Sequence, residues 1–190
     1  MHRRPRVHLP ADQDPRGGHI SPVSIVTDIR RLAGEGTCIV GVGNPIRGDD
    51  AVGPYMVDEL RKGLGEGAAD LVNAEDVLEN YAFEIAGNGC ANVIVIDAVR
   101  TGNPVGSVVF GALDDMAETL CGVSTHRLSL SLVGKIWKEQ GKKTYLLGIE
   151  AGNVDFGNGL SEPVRKSADM LKDIIISSLT GIREGYLYEH

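Results

Sequence analysis

The sequence predicts an α/β fold: a mostly parallel, twisted sheet of about five strands with helices on both faces and one antiparallel edge strand. Three observations point there. Apolar runs of strand length at 37–43 and 92–99 lack the alternation of a half-solvated strand and read as strands covered on both sides. Segments with helical spacing lie between them. Glycine is abundant, 25 of 190 residues and without a collagen period, which implies many tight turns and close backbone approaches.

Residues 23–33 (VSIVTDIRRLA) place Val23, Val26, Ile29 and Leu32 three apart, a short amphipathic helix closed by Gly34. TCIVGVG at 37–43 is a buried parallel strand, and 51–64 is a helix with Val52, Tyr55, Met56, Leu60 and Leu64 on one side. LVNA at 71–74 is a brief strand and 78–87 a helix ending at Gly87. NVIVIDAV at 92–99 is the clearest buried strand; after the turn TGNP, VGSVVFG at 105–111 returns as the antiparallel edge. Ser124 or Thr125 caps a helix that runs to Gln140, where Gly141 stops it. TYLLGIE at 144–150 is the last strand, and Ser161 and Pro163 open a last helix over 162–179. Residues 1–21, with Pro5, Pro10, Pro15 and Gly17–Gly18, read as a disordered basic leader, and 22–190 as a single α/β domain.

Composition removes several functions. Residues 1–31 carry six Arg and three Asp, whereas the whole chain has a net charge of −7, so the folded part is strongly acidic and a poor surface for nucleic acid. No apolar stretch is long enough to span a bilayer, and the basic N-terminus lacks the apolar core of a secretory signal, so a cytoplasmic location without a membrane partner is expected. Cys38, Cys90 and Cys121 stand singly, which fits small buried hydrophobes rather than a disulfide framework or thiolate cage.

Polar residues gather where the strands end, the place where parallel sheets bind ligands. Asp49 and Asp50 stand in GVGNPIRGDDAVG (41–53), after the first strand. One of them is expected to cap the following helix, leaving the other to point elsewhere or into solvent. Asp97 closes the run Val93–Ile96, where a carboxylate is costly unless hydrogen-bonded, paired or bound to a cation; a loop anchor and a functional group are both open. His126 lies inside the domain at a predicted helix start, where the helix dipole favours a neutral ring; alone it reads as a capping or structural histidine. If the three converge, they form an O,O,N set suited to a divalent first-row metal. The glycine loop does not complete G-x-G-x-x-G, because Ile46 occupies the third glycine position, and the double aspartate opposes a pyrophosphate.

GVGNPIRGDDAVG (41–53), VIVIDAV (93–99), STHRLSL (124–130) and LLGIEAGNVDFGNGLSEPV (146–164), in this order, resemble the maturation endopeptidases of [NiFe] hydrogenases. LEN at 78–80 is similar to the segment after that family's second strand, whereas Ala151 departs from its common GIEP form. The resemblance implies an endopeptidase that removes a C-terminal extension from the hydrogenase large-subunit precursor after nickel insertion. It places metal-binding and catalytic roles on Asp50, Asp97 and His126, and substrate-cleft roles on Gly43 and Asn44. It further implies nickel supplied by the precursor's cysteines, with no tightly held intrinsic metal; the chain is expected to act as a monomer. The alternatives are a non-catalytic nickel-checking chaperone of the same precursor and a conventional zinc-dependent peptidase.

Overall fold

The computed structural model describes residues 7–8, 22–65, 67, 70–116, 126–157 and 159–187. Its strands are β1 (Val7–His8), β2 (Thr37–Val42), β3 (Asp70–Glu75), β4 (Asn92–Val99), β5 (Val108–Ala112) and β6 (Lys143–Glu150). Its helices are α1 (Pro22–Gly34), α2 (Val52–Leu64), α3 (Ala82–Gly87), α4 (Leu113–Met116), α5 (Arg127–Glu139) and α6 (Glu162–Leu187), with 3-10 turns at Gly48–Ala51 and Leu78–Tyr81. The sheet order is β1-β5-β6-β4-β2-β3. β3, β2, β4 and β6 run parallel, while β5 is antiparallel to β6 with Val109 opposite Gly148.

Two-residue alternation along the central strands sorts the core into two layers. Ile39, Ile94 and Ile96 pack with Ile29 and Leu32 of α1, Met56 and Leu60 of α2, and Leu171 and Ile175 of α6. Cys38, Val40, Val42, Val93, Val95 and Val99 pack on the opposite face with Ile85 of α3 and Leu130, Val133 and Trp137 of α5. The Trp137 indole is fully buried and donates to the Ala82 carbonyl at 2.9 Å, tying α5 to α3. β2 and β4 are buried along their whole length, which is why both read as continuous apolar runs.

The predicted mixed sheet with helices on both faces is present. Several details differ. The segment expected to enter its helix at 51 first makes the 3-10 turn Gly48–Ala51, because the Asp49 amide is drawn to the Asn153 carbonyl at 2.7 Å. The predicted helix over 78–87 is likewise divided into Leu78–Tyr81 and α3. The short α4 was not anticipated, and α6 continues past 179 to Leu187. Ser124, Thr125 and Cys121 lie outside the described residues; His126 holds the position before α5 and makes no side-chain capping bond. The leader also falls outside them except for β1, which pairs antiparallel with β5, Val7 opposite Val109.

Glycine sets the join between sheet and α2. A Cβ on Gly53 would overlap the carbonyl oxygen of Val42 and stand 2.5 Å from that of Ile96. The start of α2 is thereby seated between the ends of β2 and β4. Gly53→Ala is expected to lower stability by about 1–3 kcal/mol, through forced separation of backbone rather than lost burial. Urea unfolding measures this; an unchanged midpoint would contradict the packing described.

Candidate functional site

Because β3, β2, β4 and β6 are parallel, their C-terminal ends share one edge of the sheet. Asp97 follows Val93 and Val95 at two-residue spacing, on the strand face covered by α3 and α5, and it is fully buried. His126 enters from the start of α5, which lies over that same face. Asp50 comes from the turn between β2 and α2. The Glu79 carboxylate accepts a 2.6 Å bond from the Ser129 hydroxyl, holding the first turn of α5 against Leu78–Tyr81, and this bond keeps the Glu79 pKa low.

The adjacent aspartates have separate tasks, and neither caps the helix that follows them. Asp49 is buried and accepts from the Gly152 amide at 2.8 Å, the Asn153 amide at 3.0 Å, the Ser161 amide at 2.6 Å and the Ser161 hydroxyl at 3.0 Å. A buried carboxylate needs this many donors, and the 152–161 loop supplies them where a helix end would offer fewer. The expected cap is therefore a clip between two loops. Asp50 accepts from the Asn44 amide at 3.0 Å and is itself buried.

His126 Nε2 stands 4.0 Å from Asp50 Oδ1 and 3.9 Å from Asp76 Oδ1. Asp50, Asp76 and His126 each offer one ligand atom, all within 4.8 Å of one another. Asp76, just past β3, was missed in the sequence, although the strand-end rule that selects Asp97 applies to it equally. Asn44 links the two acids: its amide faces Asp50, and its side-chain nitrogen donates to Asp76 Oδ2 at 2.6 Å. Gly43 beside it has φ +134°, and a Cβ there would overlap the Asp50 carbonyl oxygen, so Gly43 and Asn44 both set the shape of this turn.

Burial lowers the imidazole pKa, but the nearby carboxylates of Asp50, Asp97 and Asp76 outweigh it and raise it above its ordinary value. The downward pull expected from the helix dipole is thus outweighed by the surrounding carboxylates. Cys38 and Cys90 offer no competing nucleophile: burial pushes both thiols up to about 12, and Cys90 donates to Asp70 at 2.7 Å. A cavity of about 360 Å³ beside the start of β6, lined by Leu113, Lys138 and Tyr145 among others, includes none of the clustered acids.

The profile of the hydrogenase maturation proteases matches residues 54–178, a stretch that contains Asp97 and His126 and begins just after Asp50. The chain belongs to this family. It is 29% identical over 153 residues to a protein of Methanocaldococcus jannaschii described as a hydrogenase maturation protease, covering 76% of this chain and 89% of that one. It is also 24% identical over 128 residues to the hydrogenase 3 maturation protease of Escherichia coli, covering 67% of this chain and 81% of the relative. Among solved structures, a [NiFe] hydrogenase maturation protease of Thermococcus kodakarensis superposes with a TM-score of 0.67 at 25% identity, over 80% of this chain and 99% of that one.

Within this family fold Glu150 has a structural task here. Buried at the end of β6, its carboxylate accepts from the Thr101 amide at 2.9 Å and the Gly102 amide at 3.0 Å and closes the loop after β4. No helix among the described residues is long and apolar enough to cross a membrane.

The raised imidazole pKa has a fixed sign. Its stabilising charge pairing is fully present below the unfolded value near 6.5 and is lost as pH rises through the folded value. An NMR titration of the His126 ring is expected to show a midpoint above 6.5 in the metal-free chain, lowered by Asp97→Asn. A midpoint at or below 6.5 would contradict the electrostatics described.

Proposed function

We propose that this chain is an endopeptidase that removes the C-terminal extension of a [NiFe] hydrogenase large-subunit precursor once nickel has been inserted. The observation that carries the reading is the meeting of Asp50 and His126 at 4.0 Å, with the Asp97 charge acting on the same imidazole, at the strand-end edge of a hydrogenase maturation protease fold. Oxygen and imidazole donors without thiolate suit a borderline cation already held in part by other ligands. In this proposal nickel is cargo of the precursor and the chain carries no tightly held metal of its own.

Asp50, Asp97 and His126 complete the coordination and so fix the scissile peptide against the sheet edge. An ion held there supplies Lewis-acid polarisation of a carbonyl or a more acidic water. The carboxylates of Asp50 and Asp97 balance its charge, and one of them accepts the proton of the attacking water. A precursor without nickel lacks the atom these side chains bind, docks weakly and is not cut. Gly43 and Asn44 shape the wall of the cleft through the turn they make over Asp50.

The test is incubation of nickel-loaded and nickel-free precursor with the chain, read as the mass of the precursor's C-terminal region. Loss of the extension from the loaded precursor alone is expected. His126→Ala and Asp97→Asn should slow cleavage by about 100-fold or more while the unfolding midpoint is retained within a few degrees. Normal processing by either variant would overturn the assignment. Binding without any mass change would instead mark a nickel-checking chaperone, and zinc-dependent cleavage of generic peptides a conventional zinc peptidase.

A further inference from the structure

Asp76 has no role in the reading above, yet its carboxylate is part of the tightest ligand cluster among the described residues. We propose that Asp76 is a further cation-facing carboxylate of this site, forming with Asp50 and His126 a weak divalent-cation site that the chain can fill without the precursor. The inference rests on the proposed placement of a cation at this edge and adds to it a ligand and a ligand-free state that can be measured.

Geometry carries the argument. Ligands held about 2.1 Å from one ion in octahedral or tetrahedral geometry stand about 3 to 4.2 Å apart. His126 Nε2 is 4.0 Å from Asp50 Oδ1 and 3.9 Å from Asp76 Oδ1, and the three donor atoms lie within 4.8 Å of one another, so closing on an ion asks only for side-chain shifts of about an ångström or less. With the imidazole neutral, as a ligand must be, the cluster carries two negative charges over one small volume, which a divalent cation neutralises. Asp76 is also aimed. Asn44 Nδ2 holds its Oδ2 at 2.6 Å, leaving Oδ1 toward the imidazole, the outer-shell arrangement that orients metal-binding carboxylates. The backbone bends to present it: the β2–β3 register shifts between Gly41 and Val42, and Glu75 adopts φ +48°, a left-handed conformation costly for a residue with a side chain.

Exposure separates Asp76 from its partners. Its side chain is 45% exposed, against 6% for Asp50 and 11% for His126. It therefore forms the open rim of the site, and would be the first of the three to meet an ion arriving from outside.

Calorimetric titration of Ni²⁺ into the full chain, without precursor and above the imidazole's titration, tests the proposal. The wild type is expected to bind one equivalent. Asp76→Asn, which keeps the shape and the Asn44 contact, is expected to weaken binding at least tenfold with an unchanged unfolding midpoint, and Asp76→Glu to recover part of the loss. Equal affinity in wild type and Asp76→Asn, or no binding by the wild type, would overturn it. Either result leaves the processing assignment to be judged by precursor cleavage with the His126 and Asp97 variants, so the two readings fail separately.

Discussion

The first turn of α2 rests directly on the sheet, with Gly53 against the carbonyls of Val42 and Ile96. No side chain could occupy that contact. It brings the end of β2, the end of β4 and the start of α2 to one place, with Asp50 three residues before Gly53 and Asp97 immediately after Ile96. The chemistry proposed for this chain needs those two carboxylates near each other. The close backbone approach is what permits it, and the acids then share an edge that α5 overlooks.

A second constraint divides labour between neighbours in sequence. Two adjacent carboxylates on one turn repel each other unless they face different surroundings. Asp49 turns to the 152–161 loop, whose amides and hydroxyl satisfy it, and Asp50 turns to Asn44 and the imidazole. Arg47 reinforces the clip by donating to the Val154 carbonyl at 3.1 Å and covering the Phe156 ring. That loop is thus held by charge-assisted bonds, which are stronger than neutral ones.

Much of this was legible in the sequence, because continuous apolar strands, helical spacing and the strand-end rule all depend on local pattern. β2, β4, β6 and the helices between them follow from it, as does the placing of Asp50 and Asp97 at strand ends; the three-residue ligand group itself joins Asp50 and His126 with Asp76, not Asp97. What escaped depends on contacts distant in sequence. The Asp49 clip spans more than a hundred residues, and nothing at 49–50 alone says which acid turns inward. Asp76 directly follows the strand predicted at 71–74, but its importance is visible only beside Asn44 and His126. The upward direction of the His126 pKa shift does not follow from the helix dipole, because the carboxylates that cause it come from three other segments.

In the function proposed here, Asp50, Asp97 and His126 bind nickel brought by a protein client. X-ray absorption at the nickel edge, comparing loaded precursor alone with the same precursor bound to this chain, tests it most directly. New nitrogen and oxygen neighbours around nickel in the complex, missing when His126 is replaced by alanine, are the predicted result. A nickel coordination shell that is identical in free and bound precursor would contradict the account.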